Sequence, residues 1–144
     1  PDAKKLKEKI KNYFKSVKAM GEQCLIFTDG DGCDSSEKIN DIKSKFPDLT
    51  DDDIYLVCYE IESWYFAGIT LENKKILKIK QLERNTDNLT KEQFYEYIGL
   101  KKNESQLETR LPIMLKMIDL FDINLAQTYN NSFSIFYIKN TNLF

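Results

Sequence analysis

The chain contains no histidine. That single absence removes Ser-His-Asp and Cys-His catalysis, His-bearing zinc sites and imidazole general bases. Any catalysis must use carboxylates, Lys, Tyr, Cys or a metal. Cysteine is scarce. Cys24, Cys33 and Cys58 are odd in number and lack C-x-x-C spacing, so they read as reduced thiols, two of them packing in strands. No apolar run approaches the roughly 18 residues of a membrane-spanning helix, and no signal peptide is visible. The expectation is a cytoplasmic protein without a membrane partner. Neither sign of charge dominates. The net charge of −2 gives no overall basic attraction to nucleic acid. Arginine is nearly missing, with Arg84 and Arg110 the only two among 21 basic residues. Lys4, Lys5, Lys7, Lys9, Lys11, Lys15 and Lys18 crowd the start of the chain and read as one solvated helix face, with a nucleic-acid patch as the alternative.

What is present is an acidic segment. Cys24-Leu25-Ile26-Phe27 is short, apolar and closed by turn residues, which predicts a buried strand. It runs into Thr28-Asp29-Gly30-Asp31-Gly32-Cys33-Asp34. Asp29, Asp31 and Asp34 then stand where a strand of an open α/β sheet releases the chain, the usual place for a ligand. Carboxylates this close repel by roughly 1 kcal/mol per pair at 4 Å even in water. A hard cation such as Mg²⁺, Mn²⁺ or Ca²⁺ would remove that cost. Asp-Gly is also an ordinary turn signal. An EF-hand fits poorly, because Asp34 stands where the loop needs Gly and Asn40 where it needs Glu.

With 144 residues the chain is expected to form one domain. Leu6, Ile10, Tyr13, Phe14 and Val17 recur at helical spacing from Lys4 to Met20, with Gly21 as a stop. Ser35 or Ser36 can cap a helix through about Phe46. Ile54 to Tyr59 reads as a second buried strand. Helix, strand, helix, strand implies parallel pairing. The second strand also ends in acid, at Glu60-Ile61-Glu62-Ser63-Trp64. Parallel neighbours would bring Glu60 and Glu62 to the same edge as the Asp cluster. Either Glu can instead simply favour a helix N-terminus. Trp64 is expected to pack inward and help set the direction of Glu62. The stretch beyond Gly68 reads as helical, with Asn73 to Arg84 Lys-rich. Thr90-Lys91-Glu92-Gln93 resembles a capping box for a helix to Ile98, stopped by Gly99. Leu107, Leu111, Met114, Leu115 and Ile118 mark a helix from Glu104 to Leu120, and Ser132 to Ile138 an aromatic core helix.

A strand ending in Asp-x-Asp, then Cys and a helix, then a strand running into Glu-x-Glu-Ser-Trp-Tyr-Phe-Ala-Gly, resembles a Toprim-like family. Its members are relatives of the RloB proteins and OLD-type nucleases, often neighbouring AAA/ABC-type ATPases in phage-defence loci. The resemblance spans about Lys4 to Phe144. It implies an α/β fold: a Toprim-like parallel sheet flanked by helices in residues 1–68, and a mainly helical part in 69–144. It implies a nuclease site using Mg²⁺ or Mn²⁺, with metal at Asp29, Asp31 and Glu62, and also Asp34 and Glu60. Arg110 and Lys116 are the candidates for the basic residue, a Lys or similar, that the family places near the C-terminal helix to assist catalysis. The implied partners are nucleic acid, DNA or RNA, and an AAA/ABC-type ATPase. The family's first strand carries a Glu-Gly pair that would precede Lys4. The chain is therefore expected to be an N-terminally incomplete member, inactive alone and prone to self-association as a homo-oligomer across an open sheet edge. The alternative function is a non-catalytic module that binds or regulates a partner ATPase.

Overall fold

The computed structural model describes residues 3–30, 36–100 and 106–143. Asp31, Cys33, Asp34 and Ser35 lie outside the described residues, as does the side chain of Leu107. Two compact units emerge. One holds the described residues up to Thr28 and the stretch from Ser36 to Leu56; the other holds Asp29, Gly30 and the described residues from Val57 onward.

In the first unit, helix α1 (Ala3–Ala19) stops where the sequence places its stop. Gly21 takes the left-handed conformation at φ 73°, and the Glu22 N–H reaches back to the Val17 carbonyl at 3.1 Å. Val17 is buried and Phe14 meets the edge of Phe46 at 5.5 Å. Leu6 and Tyr13, from the same periodic set, are 52% and 64% exposed. Strands β1 (Ile26–Asp29) and β2 (Ile54–Val57) form a two-stranded parallel sheet, with helix α2 (Ser36–Lys45) between them in sequence. Phe27 stacks on Tyr55 at 5.8 Å. A 3₁₀ turn, Asp51–Asp53, leads into β2. Asp53 accepts hydrogen bonds from the Thr50 N–H and hydroxyl, both at 2.7 Å, and from the Lys18 ammonium at 2.5 Å. Burial works against the Asp53 carboxylate, but these donors outweigh it and hold its pKa below the usual range.

The second unit carries the larger core: Phe66, Ile69, Ile79, Leu89, Phe94, Tyr97, Ile98 and Met117. Helix α3 (Glu62–Ala67) starts at the second acidic segment. Helix α4 (Leu71–Ile76) is capped by Thr70, whose hydroxyl accepts from the Asn73 N–H at 3.1 Å. The helical reading of Asn73 to Arg84 holds only to Ile76. Lys78 adopts φ 56° and the Ile79 N–H closes back on the Lys74 carbonyl at 3.0 Å, a helix stop without glycine. Helix α5 (Lys91–Tyr97) has the expected capping box. The Thr90 hydroxyl accepts from the Gln93 N–H at 3.3 Å, and the Gln93 carboxamide accepts from the Thr90 N–H at 2.9 Å. Gly99 follows at φ 79°.

Helix α6 (Gln106–Asp119) forms, but it presents a different face from the one its leucines mark. Met117 is fully buried and Ile113 and Met114 pack on the core, whereas Leu111, Leu115 and Ile118 are 49%, 52% and 54% exposed. The helix is apolar over a wide arc, so packing rather than periodicity selects the inward stripe. Helix α7 (Ile123–Tyr129), absent from the sequence reading, is capped by Asp122, whose carboxylate accepts from the Leu125 N–H at 2.9 Å. Helix α8 (Asn131–Lys139) buries Phe133 and Phe136, as its aromatic pattern predicts. No described helix is long and apolar enough to cross a membrane.

The reduced-thiol expectation is met at Cys24, a free thiol whose pKa burial and the Asp53 charge push up. It is not met at Cys58, which is disulfide-bonded. Cysteine spacing in a sequence does not reveal pairing, because the Cα geometry that allows a bridge is set by the fold.

Candidate functional site

Both acidic strand ends belong to the second unit. Asp29 is the last residue of β1. The ladder continues one step past it, with the Gly30 N–H donating to the Val57 carbonyl at 2.7 Å. This register carries the Asp29 carboxylate to the other strand's exit, where its Oδ1 accepts the Ile61 N–H at 3.2 Å. Ile61 lies between Glu60 and Glu62. The backbone bond therefore fixes Asp29 against the second acidic segment.

Glu60 is half-buried and makes no ion pair among the described residues. Its pKa lies above the ordinary glutamate value. Burial is the largest cause, followed by the charges of Asp29 and then Glu62; Lys91 pulls weakly the other way. Three carboxylates from the two strand exits thus share one electrostatic neighbourhood. The same coupling of desolvation with like charge marks many functional clusters.

Glu62 is different. It is 4% exposed, and its Oε1 accepts from the Arg110 guanidinium at 3.2 Å. The same Arg110 nitrogen donates to the Tyr95 hydroxyl at 2.7 Å, and the guanidinium carbon sits 5.8 Å from the centre of the Tyr95 ring. Arg110, Ile113 and Met117 share one face of α6 at about 100° per residue, so burying Met117 delivers Arg110 to Glu62. Burial raises the pKa of nearby Tyr65, as does the Glu62 charge, while Arg110 lowers it. Lys116 lies exposed, about 120° round the helix from Arg110.

Trp64 holds α3 in place. Its ring stacks on Phe136 at 5.3 Å and meets Phe133 edge-on at 5.3 Å, while its Nε1 donates to the Ser132 hydroxyl at 2.8 Å. Ser132 in turn donates to Asn130 Oδ1 at 2.7 Å. The Asn130 amide donates to the Thr86 hydroxyl at 2.9 Å and to the Ser63 hydroxyl at 3.2 Å. A satisfied buried network thus fixes the two residues that follow Glu62. Sequence reasoning missed Tyr95, Ser63, Thr86 and Asn130. Only the helix-capping role of Asn130, just ahead of an apolar run, was readable from local pattern.

Of the sequence-marked carboxylates, Asp29, Glu60 and Glu62 come together; Asp31 and Asp34 lie outside the described residues. Among the described residues no three acidic, cysteine or histidine side chains form a metal-holding group. The donor chemistry still suits a hard cation. Asp29 and Glu60 offer oxygen ligands, and Mg²⁺ commonly binds through one or two carboxylates while retaining waters. No protein-family model matches the chain, and no curated protein or solved structure matches it either.

Proposed function

We propose that the chain carries the acidic metal site of a Toprim-type nuclease that hydrolyses phosphodiester bonds of DNA or RNA with Mg²⁺ or Mn²⁺, in the cytoplasm and in phage defence. One observation carries the reading: the Ile61 N–H holds the Asp29 carboxylate at 3.2 Å against the Glu60–Glu62 segment, where burial first, and then the like charges of Asp29 and Glu62, raise the pKa of Glu60. A divalent ion would relieve that repulsion. Asp29 and Glu60 would hold it, with Asp31 and Asp34 as the further oxygen donors in sequence. The bound ion would polarise a phosphate and lower the pKa of a water. The chain's own residues do the rest. Ile61 orients Asp29 through its N–H. Arg110 compensates Glu62 and, with Tyr95, keeps that carboxylate turned toward α6. Glu62 then acts as a positioning residue for the Glu60–Ile61 turn.

A second reading is favoured by that same Arg110 pair, which leaves Glu62 neutralised rather than open to a ligand. In it, the chain is a non-catalytic module that binds or regulates an AAA/ABC-type ATPase.

The test is a Mn²⁺ titration followed by calorimetry and by paramagnetic broadening of backbone amide signals. Broadening centred on Gly30 and Ile61, lost in Asp29→Asn, is expected. Plasmid or RNA cleavage that needs Mn²⁺ and Asp29 then separates nuclease from module. No Mn²⁺ heat at millimolar concentration would overturn the metal site.

A further inference from the structure

We propose that a second pocket of the same unit, built around Arg84, binds a phosphate group. The pocket is open, about 370 Å³ in volume, and lined by polar side chains that include Arg84, Asn85, Asp87, Gln127 and Asn131. The two arginines of the chain are held in contrasting ways. Arg110 is neutralised by Glu62. Arg84 is held only by its guanidinium carbon 4.8 Å above the centre of the Tyr129 ring, and it makes no ion pair or hydrogen bond among the described residues. The cation–π contact places the guanidinium at the pocket while leaving its N–H donors unused. A guanidinium fork placed in this way is suited to bidentate contact with phosphate.

The surroundings add donors. Asn85 uses its Oδ1 to accept the Asp87 N–H at 3.3 Å, which leaves its amide N–H groups available. Gln127 and the Asn131 side chain line the same space. Among the described residues that line the pocket, Asp87 is the one opposing charge. Its carboxylate accepts the Asn131 N–H at 3.0 Å and 3.1 Å and the Ser132 N–H at 3.4 Å, at the start of α8. It is thus engaged by that helix end and forms no ion pair with Arg84. The buried Thr86 side chain anchors the segment between them, with Thr86 N–H and hydroxyl donating to the Tyr129 carbonyl at 3.0 Å and 3.2 Å. Arg84, Asp87 and Tyr129 are therefore held by one set of bonds rather than on a free loop.

Phosphate reaches such a pocket on a mononucleotide or along a nucleic-acid backbone. Both arms can be run on the intact chain by following amide shifts with inorganic phosphate, adenosine monophosphate and a short single-stranded oligonucleotide. Saturable shifts confined to residues 84–87 and 127–134 are expected with all three probes. An oligonucleotide binding far more tightly than the monophosphate assigns the backbone as source, and equal affinities assign the small molecule. Arg84→Gln should weaken phosphate binding about tenfold, the equivalent of one charge-assisted hydrogen bond. Arg84→Lys should recover only part of it, and Asp87→Asn should tighten it. Unchanged Trp64 and Asn130 side-chain signals in these variants show that the fold is intact. The proposal fails if millimolar phosphate gives no saturable shift, if Arg84→Gln binds as well as the parent, or if Asp87→Asn abolishes binding. Because the Mn²⁺ site lies on other residues, this result stands or falls separately from the nuclease reading.

Discussion

The two compact units use the same kind of sequence to opposite ends. In the first, apolar residues recur at clean helical spacing along α1, yet Leu6 and Tyr13 stay open and α2 buries nothing. In the second, the patterns are less regular, yet Phe66, Ile69, Phe94 and Met117 are almost entirely enclosed and buried polar groups are mutually satisfied. Periodicity says that a helix has an apolar side. It does not say how much of that side finds a partner. The stability of this chain should therefore lie mainly in the second unit, where the acidic edge also sits.

The largest effect that could break this contrast is at Trp64. Trp64→Ala removes an aromatic ring packed between α3 and α8 and takes away the donor to the Ser132 hydroxyl, and should cost roughly 3–5 kcal/mol in denaturant unfolding. Phe14→Ala, in the first unit, should cost about 1 kcal/mol, within the ordinary run of partly exposed substitutions. Equal losses would dissolve the distinction between the units.

The Arg110 pair comes next. Arg110→Met leaves Glu62 buried without its cation and should destabilise by about 3 kcal/mol, since a buried charge stripped of its partner is costly. Glu62→Leu added to it should restore most of that loss, and a double-mutant cycle measures the coupling. If Arg110→Met is neutral, the pair does not organise α3. Asn130→Ala follows, at about 2 kcal/mol, because it removes a helix cap together with a buried hydrogen-bond hub.

The smallest effects are the most diagnostic, because they have opposite sign in the two units. The pKa of Glu60 is raised in the folded state, so its contribution is fully present below the ordinary glutamate value. That contribution is lost as pH rises through the folded value. Glu60→Gln should thus stabilise the metal-free chain at neutral pH, with the gain vanishing on acidification. The pKa of Asp53 is lowered, so its stabilisation is present above the ordinary aspartate value and is lost as pH falls through the folded one. Asp53→Asn should weaken the fold at neutral pH and become harmless in acid. Melting curves across pH 3 to 7, about the span of carboxylate titration, read both; like-signed changes would overturn the assignment of an unfavourably buried carboxylate to one unit and a paired one to the other.

The sequence by itself determined the local events. The stop at Gly21, the capping box at Thr90 and Gln93, the two short strands and the acid at each strand's exit all follow from neighbours within a few residues. Backbone sterics and capping bonds act over that range. Tertiary structure decided the rest. Glu62 meets Arg110 across 48 positions, Trp64 meets Ser132 across 68, and Asn130 meets Ser63 across 67. Which side of α6 turns inward, and hence whether Arg110 neutralises a carboxylate or faces solvent, depends on where Met117 finds its core. Many stripes of one apolar helix satisfy the same hydrophobic pattern; only the shape of the surrounding core chooses among them.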